Sequence, residues 1–116
     1  MPRLHHVNLA VLPGSADEEA SFLVDILGYE RVAVPAGLEG RARWFRADDG
    51  TQVHLSEDPG HRPGARAHTA VELGEDADAV LGRLESAGIE HTTSEFDGRK
   101  LTFCADPGGN RWELRH

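Results

Sequence analysis

Hydrophobic and polar residues follow the same order of elements twice along the chain. An alternating stretch comes first, then a helical stripe of apolar residues, then three short alternating stretches. The first copy predicts strands at 4–11, 30–34, 42–47 and 52–57. The second copy predicts strands at 67–73, 89–94, 100–105 and 111–115. The pattern therefore indicates a repeated strand–helix–three-strand (βαβββ) unit.

Each predicted helix has its own apolar stripe and end signals. Ser15 and Glu18 form a capping box before the first helix, while Gly28 and Gly88 are typical of helix ends. The first stripe consists of Ala16, Ala20, Leu23, Val24 and Leu27, and the second, within 75–87, of Ala77, Val80, Leu81, Leu84 and Ala87. Turns are predicted at 48–50 and 106–109, before the last strand of each copy.

The repeat is also visible in individual residues. His6 corresponds to His68, 62 positions later, and LGYERV at 27–32 corresponds to AGIEHT at 87–92, 60 positions later. ADDG from Ala47 corresponds to ADPG from Ala105, and one extra residue after that turn pairs His54 with Glu113. We therefore predict one α+β domain over 1–116. Module 1 covers about 1–57, a turn-rich connector 58–66, and module 2 about 67–116.

Four side chains with metal-binding chemistry fall on one predicted face of these strands. The alternate, apolar positions would pack beneath the helices, which leaves His6, His54, His68 and Glu113 on the opposite face. If the sheet curls, this face lines a cup in which ligands from both copies converge. Imidazole and carboxylate ligands suit a divalent zinc, iron, manganese, nickel or cobalt ion, and the choice among them stays open.

The other polar candidates are interpreted more simply. His5 lies on the apolar face, and His61, His91 and His116 have no partner in register, so none is assigned to chemistry. Cys104 has no predicted base beside it, which favours a packing role. Arg62, Arg66 and Arg111 would neutralise an anionic substrate, with solvated surface arginines as the alternative interpretation.

Composition narrows the classes of partner. The chain has 39% hydrophobic and 28% charged residues, which is globular composition, and a net charge of −8 argues against a nucleic-acid partner. No apolar run reaches bilayer length and no secretory signal is apparent, so no membrane partner is expected. A single cysteine excludes an internal disulfide, and the expected compartment is the cytoplasm.

Four motifs together resemble the vicinal oxygen chelate superfamily, which includes glyoxalase I, extradiol dioxygenases and fosfomycin- and bleomycin-resistance proteins. The motifs are LHHVNLAV, VDILGYERV, AHTAVEL and FCADPGGNRWEL, and they span nearly the whole chain. The resemblance implies two βαβββ modules whose curled mixed sheet surrounds a divalent metal, with His6, His68 and Glu113 as ligands. His54 stands where several members carry a glutamate ligand, so a fourth ligand and a catalytic base both remain open.

The implied function is a metal-dependent, glyoxalase-like enzyme of lyase, isomerase or dioxygenase type that acts on a small molecule with two vicinal oxygens. Glu113 is the candidate catalytic base, with His54 as the alternative. A non-catalytic drug- or metabolite-binding protein of the bleomycin-resistance type is the competing function, and a structural metal module is a third. The resemblance also implies a homodimer, with the site formed within one chain or across two.

Overall fold

The predicted strand–helix–three-strand order occurs twice in the computed structural model, which describes residues 1–116. The chain divides into two units, Met1–His61 and Arg62–His116. The strands of the first unit are β1 (His6–Val11), β2 (Glu30–Val32), β3 (Ala42–Arg46) and β4 (Gln52–Glu57). Those of the second are β5 (His68–Glu72), β6 (His91–Phe96), β7 (Arg99–Ala105) and β8 (Arg111–Arg115). The α+β class and the repeated βαβββ order are confirmed.

Each unit has a four-stranded mixed sheet in which the first strand pairs in parallel with the last. The strand order is β1–β4–β3–β2 in the first unit and β5–β8–β7–β6 in the second. The parallel pairs are β1–β4 and β5–β8, and the remaining pairs are antiparallel. A parallel pair needs a long crossover between its strands, and here the helix and two strands of the module supply it.

Strand register gives the two modules equivalent positions. His54 lies opposite Trp44 in the first sheet, and Glu113 lies opposite Phe103 in the second. His54 and Trp44 each stand 59 positions before their counterparts, Glu113 and Phe103. The predicted equivalence of His54 and Glu113 is therefore confirmed by backbone pairing.

The turns before the last strands follow the same offset of 59 positions. The N–H of Ala47 donates to the carbonyl of Thr51, and the N–H of Asp106 donates to that of Asn110, both at 2.9 Å. Ala47 thus corresponds to Asp106. The sequence alignment of Ala47 with Ala105, followed by an extra residue, was wrong, because hydrogen bonding rather than the letters ADxG defines the equivalent turn positions.

The first helix changes geometry midway. An α-helix, α1 (Ala16–Ser21), continues as a π-helix over Phe22–Ile26, in which the N–H of Leu27 donates to a carbonyl five residues earlier at 3.1 Å. The wider turn rotates the later side chains away from the positions that a 3.6-residue period predicts. Both end residues of the π-helix are buried, whereas Val24 and Leu27 are not. The predicted stripe is confirmed at Ala16, Ala20 and Leu23.

The helix starts also differ from the predicted capping. Ser15 stands at the N-cap of α1, but its hydroxyl donates to the carbonyl of Leu12 at 2.6 Å and makes no cap hydrogen bond, so the capping box was wrong. In the second unit a 3₁₀ turn, Gly74–Asp76, precedes α2 (Ala77–Ser86). No helix of the structure combines the length and the apolar character that a membrane span requires.

The closing turn is held from inside by a buried carboxylate. Asp106 is 5% exposed and accepts hydrogen bonds from the N–H of Asn110 at 2.8 Å and from the indole N–H of Trp112 at 2.9 Å. Trp112 is itself fully buried. These contacts fix the start of β8, and with it the direction of the side chains at alternate positions, Arg111 and Glu113.

We predict that the closing turn cannot accept a side chain at Gly109. Its φ is +82°, and a Cβ there would lie 2.7 Å from Cγ of Pro63. Gly50, its counterpart in module 1, has φ of +91° but no atom within 4 Å of such a Cβ. Gly109→Ala should therefore lower the free energy of unfolding by about 1–3 kcal/mol more than Gly50→Ala, because only Gly109→Ala adds overpacking.

Chemical denaturation of both glycine variants measures this difference, and Pro63→Ala serves as the control. In a double-mutant cycle Pro63→Ala should remove most of the excess cost of Gly109→Ala and none of the cost of Gly50→Ala. Equal destabilisation by the two glycine substitutions would contradict the predicted contact.

Candidate functional site

The four predicted ligands form two pairs, one in each unit. His6 and His54 lie together in the first unit, and His68 and Glu113 lie together in the second. Within either unit no group of three or more His, Cys, Asp or Glu side chains is placed to hold a metal ion. Each pair is therefore described separately.

Three aromatic rings form a column across the first sheet, which we call the imidazole–indole stack. The rings of His6 and His54 lie with centroids 4.0 Å apart and planes 14° from parallel. The ring of Trp44 lies on the other side of His54, with centroids 4.1 Å apart and planes at 4°. The three residues come from the adjacent strands β1, β4 and β3, so the strand order produces the stack.

Hydrogen bonds fix the orientation of both imidazoles in this stack. Nε2 of His54 lies 2.8 Å from Oε1 of Gln52, and Nδ1 of His6 lies 2.9 Å from Nδ1 of His5. Burial lowers the pKa of His54, and the charges of His6 and His5 lower it further. His54 is thus held as a neutral imidazole. The sequence interpretation assigned no role to His5, whereas the structure places it against the predicted ligand His6.

The pair in the second unit brings an imidazole nitrogen close to a carboxylate oxygen. Nε2 of His68 lies 3.7 Å from Oε1 of Glu113. Nδ1 of His68 lies 3.0 Å from the backbone carbonyl of Arg66, which can only accept, so Nδ1 carries the proton. The lone pair of the neutral imidazole is then on Nε2, beside Glu113. A backbone carbonyl commonly orients a ligating histidine in this way.

Arg115 holds the second oxygen of the candidate carboxylate. It donates to Oε2 of Glu113 at 2.9 Å and, through Nε, to Glu72 at 3.1 Å. Glu72 also accepts a hydrogen bond from Arg99, and these bonds, with that of Arg99 the larger effect, lower the pKa of Glu72. Arg115 was not predicted, although its two-residue spacing from Glu113 on a strand places both on one face.

The geometry of the candidate ligand atoms differs between the two pairs. Nitrogen and oxygen ligands lie about 2.0–2.2 Å from a zinc ion, so two neighbouring ligands of one ion lie about 3–4 Å apart. The 3.7 Å between His68 and Glu113 fits this requirement. Imidazole lone pairs lie in the ring plane, so the nearly parallel rings of His6 and His54 do not aim at one ion. The stack favours His54 as a support or base beside His6.

Each unit has a cavity of substrate size, and the predicted ligands His68 and Glu113 line that of the second unit. The cavity of the second unit, about 420 Å³, is lined by Arg66, His68, Phe103, Arg111 and Glu113. The cavity of the first unit, about 480 Å³, is lined by Trp44 together with residues of β2, β3 and the loop between them. Both volumes lie within the range of small-molecule sites.

The remaining candidates lie away from these pairs. Nδ1 of His91 lies 2.8 Å from the carbonyl of Ile89, and Nε2 of His116 lies 2.9 Å from the hydroxyl of Thr102. Cys104 is buried, and burial together with the charge of Asp106 raises its pKa to about 11. A thiol with this pKa is protonated at neutral pH, which supports the predicted packing role.

Comparison with known proteins connects this arrangement to one family. The sequence profile of the Glyoxalase/Bleomycin resistance protein/Dioxygenase superfamily matches residues 3–114. No curated protein sequence matches the chain.

Solved structures give the same connection. A Bacillus anthracis protein described as belonging to the glyoxalase family is 26% identical and superposes with a TM-score of 0.87, covering 99% of this chain and 94% of that one. A glyoxalase/dioxygenase from Nostoc punctiforme is 23% identical, with a TM-score of 0.81 and coverage of 97% and 89%. These likenesses support the fold described above.

The third comparison is with a protein of named activity. The fosfomycin resistance protein FosX from Listeria monocytogenes is 18% identical and has a TM-score of 0.78, covering 99% of this chain and 91% of that one. A variant of FosX was solved in complex with Mn(II) and 1S,2S-dihydroxypropylphosphonic acid, and it superposes with a TM-score of 0.76. At this identity the likeness concerns the fold alone.

We predict that Cys104 is unreactive in the native protein. Its pKa rises from the ordinary 9.0 to about 11, so at pH 8 the thiolate fraction is about 100-fold smaller than in the unfolded chain. The reaction with Ellman's reagent should be at least this much slower in buffer than in denaturant. The raised pKa also links stability to pH: the contribution of the protonated thiol to the free energy of unfolding is fully present below pH 9 and is lost as the pH rises towards 11. Equal native and denatured rates would identify Cys104 as an accessible nucleophile.

Proposed function

Because the chain belongs to the Glyoxalase/Bleomycin resistance protein/Dioxygenase superfamily, we propose that it is a divalent-metal-dependent, glyoxalase-like enzyme acting on a small molecule with two vicinal oxygens. The reaction is of the lyase, isomerase or dioxygenase type. His6, His68 and Glu113 are the proposed metal ligands, with zinc, iron, manganese, nickel or cobalt as the ion.

The observation that carries this proposal is the pair formed by His68 and Glu113. The imidazole presents an unprotonated Nε2 and the carboxylate presents Oε1, 3.7 Å away, while backbone and Arg115 hydrogen bonds fix their outer atoms. Two ligands with their outer contacts already satisfied lose little freedom when an ion binds. His6 stands at the corresponding position of module 1, opposite Gln52 as His68 is opposite Arg111.

The protein side chains have distinct proposed roles at this site. The bound ion supplies Lewis-acid stabilisation of negative charge that develops on a substrate oxygen. Glu113 is the proposed base, through the oxygen that Arg115 does not hold, once that oxygen has partly dissociated from the ion. His54 is the alternative base, because burial keeps it neutral and Gln52 fixes its ring.

The proposed site takes His6 from the first module and the other two ligands from the second. We propose that the protein forms a homodimer, so the ligands come together within one chain or across two. Mixed dimers of the His6→Ala and Glu113→Ala chains would distinguish these arrangements, since only a site shared between chains regains one intact copy.

A non-catalytic metabolite-binding protein is the alternative function. The cavity of about 480 Å³ in the first unit favours it, because Trp44, Val32, Val34 and Ala42 give this cavity an apolar and aromatic wall. Such a wall suits the face of a planar ligand. This alternative requires no catalytic metal.

We predict that the purified protein binds a stoichiometric divalent metal, and that His6→Ala, His68→Ala and Glu113→Ala each abolish it. Elemental analysis and titration calorimetry measure this. His91→Ala is the control, because His91 bonds only to its own loop and to Glu85. Metal content that survives in all three ligand variants would exclude the site, and no metal binding at all would favour the metabolite-binding function.

We also predict that Arg115 positions Glu113 for metal binding. Arg115→Ala frees the carboxylate to rotate and should weaken metal affinity by about 10-fold, as the loss of outer contacts usually does. Arg115→Lys should recover part of the affinity. Arg46→Ala, which removes an exposed ion pair to Glu30 at 3.4 Å, is the matched control and should leave metal affinity unchanged. Equal affinity in Arg115→Ala and the parent protein would contradict this role.

A further inference from the structure

We propose that the cavity of the second module is an oxyanion-binding subsite, in which Arg111 and Arg66 bind a carboxylate or phosphonate group of the substrate. The proposal rests on the proposed function, because an oxygen next to that group would then reach the ion at His68 and Glu113. It names the substrate class as small α-hydroxy or α-keto acids and the corresponding phosphonates.

The position of Arg111 follows from the sheet. It lies opposite His68 in the parallel β5–β8 pair and two residues before Glu113 on β8, so all three side chains share one face. Its guanidinium carbon lies 4.8 Å from the centroid of the Phe103 ring. A guanidinium held over an aromatic face keeps its N–H edge available for a planar or tetrahedral anion.

Neither Arg66 nor Arg111 forms an ion pair with a carboxylate, whereas the two other arginines around this face do. Arg99 pairs with Glu72, and Arg115 pairs with both Glu72 and Glu113. The single carboxylate that lines the cavity is thus already compensated, and two guanidinium groups remain without a counter-charge.

The cavity lining is positively charged, although the chain as a whole is negatively charged. The chain carries a net charge of −8, yet the cavity lining contains two arginines and one glutamate. Arginine recognises carboxylates and phosphonates through two parallel N–H···O hydrogen bonds. A divalent ion would add to the positive potential, so an anionic group is the ligand chemistry that the lining favours.

The corresponding position of the first module differs in a way that makes the subsite specific. Gln52 stands where the second module has Arg111, and its amide is bonded to His54. His6 and His68 thus occupy equivalent positions, but only His68 has an arginine opposite it. Arg111→Gln gives the second module the residue that the first module has at the equivalent position, and this substitution therefore tests the subsite.

The test measures binding of three small probes by titration calorimetry, with and without Mn(II). Glycolate and hydroxymethylphosphonate each carry a hydroxyl beside an anionic group, and glycolamide is the neutral control. Arg111→Gln should weaken the binding of both anions by roughly 10-fold or more, as expected for the loss of charged hydrogen bonds. The affinity for glycolamide should stay unchanged. The anion with the larger loss identifies the carboxylate or the phosphonate as the preferred group.

Arg46→Gln is the control, because Arg46 is an exposed arginine of the first module that pairs with Glu30 at 3.4 Å and lines neither cavity. It should bind all three probes as the parent protein does. Arg111→Gln should bind Mn(II) as tightly as the parent or more tightly, since removing a positive charge does not weaken the attraction for a cation. A thermal unfolding curve for each variant shows that its fold is retained.

The outcomes separate this proposal from the proposed function. Unchanged anion affinity in Arg111→Gln, or an equal loss in Arg46→Gln, overturns the subsite even if Mn(II) binds. Arg111-dependent binding of hydroxymethylphosphonate without any Mn(II) binding supports the subsite and rejects the metal-dependent enzyme.

Discussion

The parallel pairing of the first and last strands in each module is the interaction on which the candidate site depends. It places His6 opposite Gln52 in one sheet and His68 opposite Arg111 in the other. A slip of one residue would turn every one of these side chains to the opposite face of its sheet. In module 2 the register is secured by the closing turn, where buried Asp106 holds both the turn and Trp112.

The two modules use equivalent backbone positions for different chemistry. His54 and Trp44 of the first module correspond to Glu113 and Phe103 of the second, and the first pair is held by ring stacking and by the hydrogen bond between His54 and Gln52. The second module instead concentrates charge around its carboxylate. In the proposed site the first module would contribute the ligand His6 beside its stacked rings, and the second module would contribute the other two ligands and the anion-binding arginines.

Much of this could be predicted from residue alternation alone. The bounds of β4 and β8 and the faces of His54 and Glu113 follow from a two-residue period, because strand side chains have only two directions. The π-helix at Phe22–Ile26 could not be predicted, because its buried residues do not follow the 3.6-residue period from which an α-helix was predicted there. The contacts of Arg115 and Trp44 depend on side-chain conformations across neighbouring strands, which one sequence does not specify.

The central claim is that His6, His68 and Glu113 bind one divalent ion. Electron spin echo spectroscopy of the Mn(II)-loaded protein tests it directly, because nitrogen modulation from ¹⁵N-labelled histidine reports imidazoles bound to the ion. The account predicts histidine-nitrogen modulation in the parent protein that is lost in His6→Ala and in His68→Ala, because each substitution removes the bound ion. Mn(II) bound without histidine nitrogen modulation, or modulation unchanged by both substitutions, would contradict it.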